Sequence, residues 1–255
     1  MIDQIAERLR DAYATGPIAP PRDGLEPRDA AGAYAVQALN TAYWRSAGRR
    51  VVGRKIGLTA QAVRDQMGVS EPDFGVLFDD MRIADGGTLA ASTVLQPKVE
   101  GEIAFVLRAD LSDPDVDPQT VAAAVANVAA AIEIVDRRIV DWKISLADTI
   151  ADNGSAGRFV LGPDAVALDD IDLAACAMTL RLNGEIASNG LGAASMGHPL
   201  NALTWLARTL ASRGDGLRCG DVVLSGSLGP MIAVNAGDRV EVSISGLGRA
   251  AFTLS

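Results

Sequence analysis

From Arg50 onward the apolar residues of this chain come in short runs broken by glycine. VVGRKIGL, VEGEIAFVL, AAIEIVDRRI, GRFVLG, AMTLRLNGEIA, GDVVLSGSL and RVEVSISGLGRAAFTL each have the length and punctuation of a strand or hairpin arm. Helices are predicted between them at 60–68, 117–128, 145–151 and 198–213, the last opening on Pro199 in the favourable first turn. A doubly wound sheet or an eight-fold barrel would need strand and long helix in regular alternation, which is absent, so the pattern predicts an α+β fold around a curved mixed sheet. Upstream, Ile5, Leu9 and Ala12, then Ala31, Ala35, Ala38, Leu39 and Ala42, fall at helical spacing over 2–14 and 28–47, with PIAPPRDGLEP as a breaker between them. The expected organisation is an N-terminal helical segment, 1–49, on a strand-rich core, 50–255, as one structural unit.

At 255 residues and 49% hydrophobic the chain can bury a real core. A net charge of −9 and a pI near 4.6, with no basic run to offset them, exclude nucleic acid as a partner. The longest small-apolar stretch, Val121 to Val135, is interrupted by Asn127 and Glu133 and falls short of the roughly 20 residues a membrane span needs. MIDQIAERLRDAY lacks the basic start and apolar middle of a signal peptide, so the cytoplasm is the expected location. Cys176 and Cys219 are far apart with no ligand neighbours, and read as reduced, partly buried apolar residues. The single histidine, His198, rules out a two-histidine zinc site, a HExxH protease and a two-histidine facial triad. Any metal site must be oxygen-rich, which favours Mg²⁺ or Mn²⁺.

Glu100 and Glu102 stand two apart in KVEGEIAFVL, so strand alternation puts both on one face, roughly 6 to 7 Å apart. Two ligands of one ion fit that spacing; so does a solvent-facing edge. Glu133, inside the apolar run AAIEIVDRR, needs a partner, either a shared cation or a salt bridge to Arg137 or Arg138. Lys55 is one of three lysines, in a glycine-flanked strand where burial can tune an amine to hold an anion or move a proton; a snorkelling surface lysine is the plainer reading. Asp73, in EPDFGVLFDD, is placed in a constrained loop, over a pocket or as a turn cap. Asn153 and Ser155 in ADNGSAGRF, and Ser227 in GSLGP, offer donors to an anion or simply build turns. GLGAAS follows a hairpin and lacks its third glycine, so it is no dinucleotide fingerprint, and His198 reads as a helix-start residue.

In combination, GRKIGLT, GVSEPDFGVLFDDM, QPKVEGEIAFVL, EIVDRRIVDWK, ADNGSAGRF, GHPLNALTWLA and GDVVLSGSLGPMIAVNAGDRV resemble the 2-keto-4-pentenoate hydratase (2-hydroxypenta-2,4-dienoate hydratase) group of the fumarylacetoacetate hydrolase-like superfamily. The likeness runs from the first helix to the C-terminus. It implies a mixed β-roll core and a Mg²⁺ or Mn²⁺ site in which Glu100, Glu102 and Glu133 are the ligands, Lys55 the active-site lysine and Asp73 the acid facing substrate, with Ser155 and Ser227 as further substrate contacts. Gly101 and Gly154 stand where related chains often carry alanine.

The implied reaction is hydration of 2-hydroxypenta-2,4-dienoate to 4-hydroxy-2-oxopentanoate in aromatic meta-cleavage catabolism, by a homo-oligomer, dimeric at least, in association with the downstream aldolase or the sister decarboxylase. The nearest alternative is 4-oxalocrotonate decarboxylase, whose carboxylates and lysine are shared; the Asp73-Phe74 pair favours the hydratase. A carbon–carbon bond hydrolase should carry a His-Glu pair, and a non-catalytic partner subunit would not need these groups together.

Overall fold

The computed structural model describes residues 1–141 and 144–255, so the Trp142-Lys143 end of the EIVDRRIVDWK motif lies outside the described residues. Two helices come first, α1 (Ile2–Thr15) and α2 (Ala30–Ser46). Asp29 caps α2 by accepting a hydrogen bond from the Gly32 N–H at 2.8 Å. The core then runs β1 (Val51–Gly57), α3 (Gln61–Met67), β2 (Asp73–Phe78), β3 (Arg82–Ile83), β4 (Gly87–Leu89), β5 (Lys98–Leu107), α4 (Pro118–Ala123) and β6 (Val125–Val135). It continues through α5 (Leu146–Ala151), β7 (Ala156–Leu161), β8 (Ala177–Leu182), β9 (Glu185–Leu191), α6 (Pro199–Ser212), β10 (Val222–Leu224), β11 (Ile232–Ala233), β12 (Arg239–Ile244) and β13 (Gly248–Leu254).

These strands form two mixed sheets, an eight-stranded one ordered β2-β1-β10-β5-β6-β7-β3 with β11 also on β5, and a five-stranded one ordered β4-β13-β12-β8-β9. The α+β architecture is the one the sequence indicates. The main core lies between the sheets: Val99, Ile103 and Phe105 of β5 and Ile132 and Ile134 of β6 pack with Met178, Leu180, Val242 and Phe252 of the smaller sheet. Alternation sends the intervening residues of β5 and β6 to the opposite face, where Ala104 and Ala131 join Phe159 and Leu224. No helix among the described residues is long and apolar enough to cross a membrane.

Two local expectations need correction. The helix expected over 117–128 stops at Ala123, and the chain enters β6 at Val125. Alanine favours helix intrinsically, but VANVAAAIEIV is a central strand paired by β5 on one side and β7 on the other, and that pairing outweighs propensity. Asp73 is not in a loop; it opens β2, opposite Gly57 of β1, and is 1% exposed.

Candidate active site

The strand register assembles the acidic residues. Glu100 of β5 faces Glu133 of β6 as its direct cross-strand partner, and Glu102 faces Ala131, whose small side chain leaves space beside it. The three carboxylates offer oxygens that all lie within 4.8 Å of one another. Glu102 and Glu133 are fully buried and Glu100 is half-buried. Glu102 Oε2 accepts the Gly226 N–H at 2.7 Å, whereas Glu102 Oε1 and both oxygens of Glu133 are buried without a hydrogen-bond partner among the described residues.

Lys55 projects from β1 and is the ion-pair partner of Glu133, Nζ to Oε1 at 3.2 Å, without the geometry of a hydrogen bond. Arg138 is taken instead by Asp152, Nε donating to Oδ1 at 2.7 Å. Three glycines shape the space around Lys55. A Cβ at Gly57 would lie 2.1 Å from Asp73 Oδ1 and 3.4 Å from Lys55 Nζ, and one at Gly75 or Gly154 would meet Lys55 Cδ at 3.2 Å. Asn153, Gly154 and Ser155 all have positive φ (57°, 61° and 56°), a left-handed turn that aims Ser155 inward. The Asn153 side chain fixes that turn on β2, Oδ1 accepting from Val76 N at 2.7 Å and Nδ2 donating to Val76 O at 2.9 Å.

Lys55, Asp73, Glu100 and Ser155 all line one cavity of about 560 Å³ whose wall also includes Thr149, Arg137 and the apolar Leu58, Val135 and Ile144. Burial and the neighbouring Glu133 carboxylate push Glu100 up to about 7, and burial with Glu133 and Glu100 pushes Glu102 well above the carboxylate range. Burial works against the Lys55 ammonium, but Glu133, Asp73, Glu100 and Glu102 together outweigh it and hold Lys55 above its ordinary value. Burial also raises Asp73, opposed by Lys55, Thr149 and the Gly57 N–H. Asp73 Oδ2 is buried without a hydrogen-bond partner among the described residues. So many carboxylates set close together conflict unless a cation joins them, and the orphaned glutamate oxygens are the donors a hard divalent ion takes.

The structure thus brings together Lys55, Asp73, Glu100, Glu102, Glu133 and Ser155. Ser227 is not on this cavity wall; its hydroxyl donates to the Gly229 carbonyl, and its loop reaches the acidic cluster through the Gly226 N–H. His198 caps α6, Nδ1 accepting from Leu200 N at 3.1 Å. Thr149 and the full glycine cradle are not singled out by the sequence alone. Glycine inside a strand run was the available signal for the cradle; Thr149 carries none in a single sequence.

Residues 50–255 match the family model of the fumarylacetoacetate (FAA) hydrolase C-terminal region. A 2-keto-4-pentenoate hydratase 2 of Dechloromonas aromatica (strain RCB) is 51% identical over 244 residues, 95% of this chain and 93% of that protein. A 2-keto-4-pentenoate hydratase of Burkholderia vietnamiensis (strain G4) is 51% identical over 255 residues, 99% of this chain and 97% of its own. Among solved structures, 4-oxalocrotonate decarboxylase from Pseudomonas putida G7, complexed with magnesium and adipate, is similar at TM-score 0.95 and 32% identity, covering 100% of this chain and 97% of that one.

Proposed function

Since the chain belongs to the fumarylacetoacetate hydrolase family, we propose that it is a divalent-metal-dependent hydratase that adds water to 2-hydroxypenta-2,4-dienoate (2-keto-4-pentenoate), giving 4-hydroxy-2-oxopentanoate. Glu100, Glu102 and Glu133 would hold Mg²⁺ or Mn²⁺, and the buried oxygens of Glu102 and Glu133 that lack a hydrogen-bond partner among the described residues fit such an ion. When bound, the ion supplies Lewis-acid stabilisation of the substrate's C2 oxygen and carboxylate.

The chain's own groups carry the proton transfers. Water adds to C4 only when the double bond at C3–C4 is conjugated with a C2 carbonyl, so the dienol must first lose its C2 hydroxyl proton and gain one at C5. Lys55, kept charged by the carboxylates around it, holds the C2 oxygen or the substrate carboxylate and serves this ketonisation. Asp73 then takes a proton from the water that attacks C4 and, as the acid so formed, returns it at C3, while Ser155 holds the substrate from the turn above. The observation that carries this reading is Asp73 Oδ2, a buried carboxylate oxygen without a hydrogen-bond partner among the described residues, on the same cavity wall as Lys55. The enzyme would work in the cytoplasm as a homo-oligomer, and the exposed Tyr13, Leu39 and Tyr43 on the N-terminal helices support the association.

The likeness to the decarboxylase structure supports a second reading, decarboxylation of 4-oxalocrotonate. An ionised Asp73 disfavours a second carboxylate placed beside it. Incubation with Mg²⁺ and either 2-hydroxypenta-2,4-dienoate or 4-oxalocrotonate separates the two. The expected result is 4-hydroxy-2-oxopentanoate from the first and little carbon dioxide from the second; rapid carbon dioxide release with no hydrated product would overturn the hydratase reading.

A further inference from the structure

The cavity carries a second cation. Arg137 lies on its wall, 4% exposed, two residues beyond the end of β6 and on the side of that strand that carries Glu133 and Val135. Its backbone is fixed from both directions: the Arg137 carbonyl accepts from Gln96 Nε2 at 3.0 Å, and the Asp136 N–H donates to the Ser155 carbonyl at 2.9 Å. The guanidinium Nε donates to Ser155 Oγ and Nη1 donates to the Asp141 carbonyl, each at 3.4 Å. Both are longer than the charge-assisted pair that a carboxylate makes with an arginine fork, about 2.7 to 2.9 Å.

Charge balance points the same way. Four carboxylates, from Glu100, Glu102, Glu133 and Asp73, surround one ammonium, and Lys55 is already engaged by Glu133. A divalent cation leaves an excess of negative charge, against which an anionic substrate would have to enter. Building on the hydratase reading, we propose that Arg137, with Ser155 beside it, is a substrate-binding residue that holds a carboxylate of the substrate. Burial pushes its guanidinium down to about 10, the behaviour of a cation that gains by desolvated pairing. The carboxylate has two possible sources, the C1 group common to every 2-hydroxydienoate or a second carboxylate borne by a substituent.

Calorimetric titration of the Mg²⁺-loaded protein with two saturated, non-hydratable 2-oxo acids, 2-oxopentanoate and 2-oxoadipate, tests this without turnover. Arg137→Met should weaken binding by about 10- to 100-fold, and Arg137→Lys should recover part of the loss. Loss for both acids assigns the contact to C1; loss for 2-oxoadipate alone assigns it to the second carboxylate. Binding of both within about twofold of the unmodified protein would overturn the proposal, as would equal losses of Mg²⁺ affinity and melting temperature, which would mark Arg137 as a scaffold residue. An unmodified protein that binds these acids but hydrates no dienoate would refute the hydratase reading and leave Arg137 testable; one that binds neither acid would refute both.

Discussion

Gly57→Ala tests whether Asp73 works from the position in which the strands hold it. The new methyl would sit 2.1 Å from Asp73 Oδ1, with Lys55 Nζ next at 3.4 Å. Contact at van der Waals distance, about 3.5 Å, obliges the carboxylate to retreat by more than about 1 Å. Misplacement on that scale costs about 100-fold in rate. Overpacking costs about 1 to 3 kcal/mol, which a domain of ordinary stability survives. The variant should therefore fold, keep its Mg²⁺ affinity within about threefold and lose about 100-fold in kcat, followed by disappearance of dienoate absorbance. A double-mutant cycle makes the test specific. If the methyl acts through the carboxylate, Gly57→Ala should cost almost nothing further in an Asp73→Ala background. Costs that simply multiply, or full activity in the single variant, would refute the geometry.

Removing divalent cations with chelator should abolish hydration and added Mg²⁺ or Mn²⁺ should restore it, with Glu100→Gln and Glu133→Gln each weakening metal binding about tenfold or more by titration. The metal-free Glu100→Gln protein should melt no lower than the unmodified one, because a repelling charge is gone. Asp148 is raised by burial, but hydrogen bonds from Arg22 and Ser145 outweigh this and hold it below its ordinary value of 3.8. Its contribution to stability is thus complete above that value and lost as pH falls through the lower folded one. Denaturant melts should show a gap between the unmodified protein and Asp148→Asn that is constant above about pH 5 and closes below pH 4; a gap that widens in acid would contradict the assignment.

How much of this was legible follows from which contacts are local. Alternation along β5 sufficed to put Glu100 and Glu102 on one face. Glu133 stands out because a carboxylate in an apolar run needs a partner, but that partner is Lys55, some eighty positions away, rather than the nearby Arg137 or Arg138. Register decided it: β6 lies antiparallel to β5 with Glu133 opposite Glu100, and β1 is joined to β5 only through β10. The GSLGP turn offers a hydroxyl in the sequence, and it contributes a backbone N–H instead, since a buried carboxylate takes whichever donor the loop presents. At Gly101 a Cβ would meet Met178 Cγ and Sδ at 2.9 Å. Its glycine matches the methionine packed from the smaller sheet, a pairing invisible along one strand.

The N-terminal helices brace the cavity wall from behind, outside the matched core. Gln37 of α2 is buried and its amide bridges two main-chain carbonyls, Phe74 O at 2.9 Å and Ile150 O at 3.0 Å. Each of those residues directly follows a group on the cavity wall, Asp73 in one case and Thr149 in the other. Arg22, in the segment between the helices, pairs with Asp148 of α5, and Ile5, Leu9, Ala33 and Val36 pack on Ala147, Ile150 and Ala151. The helix bearing Thr149 and the strand bearing Asp73 are thus tied together by residues the family match leaves out, which begins at residue 50. The hydratase of Burkholderia vietnamiensis matches over 99% of this chain, helices included. Loosening that clamp by Gln37→Leu would leave two buried carbonyls without their donor, at about 1 to 3 kcal/mol each. The strain falls on the positions of Asp73 and Thr149 before it falls on the glutamates, which hang from β5 and β6 on the far side of Lys55's strand.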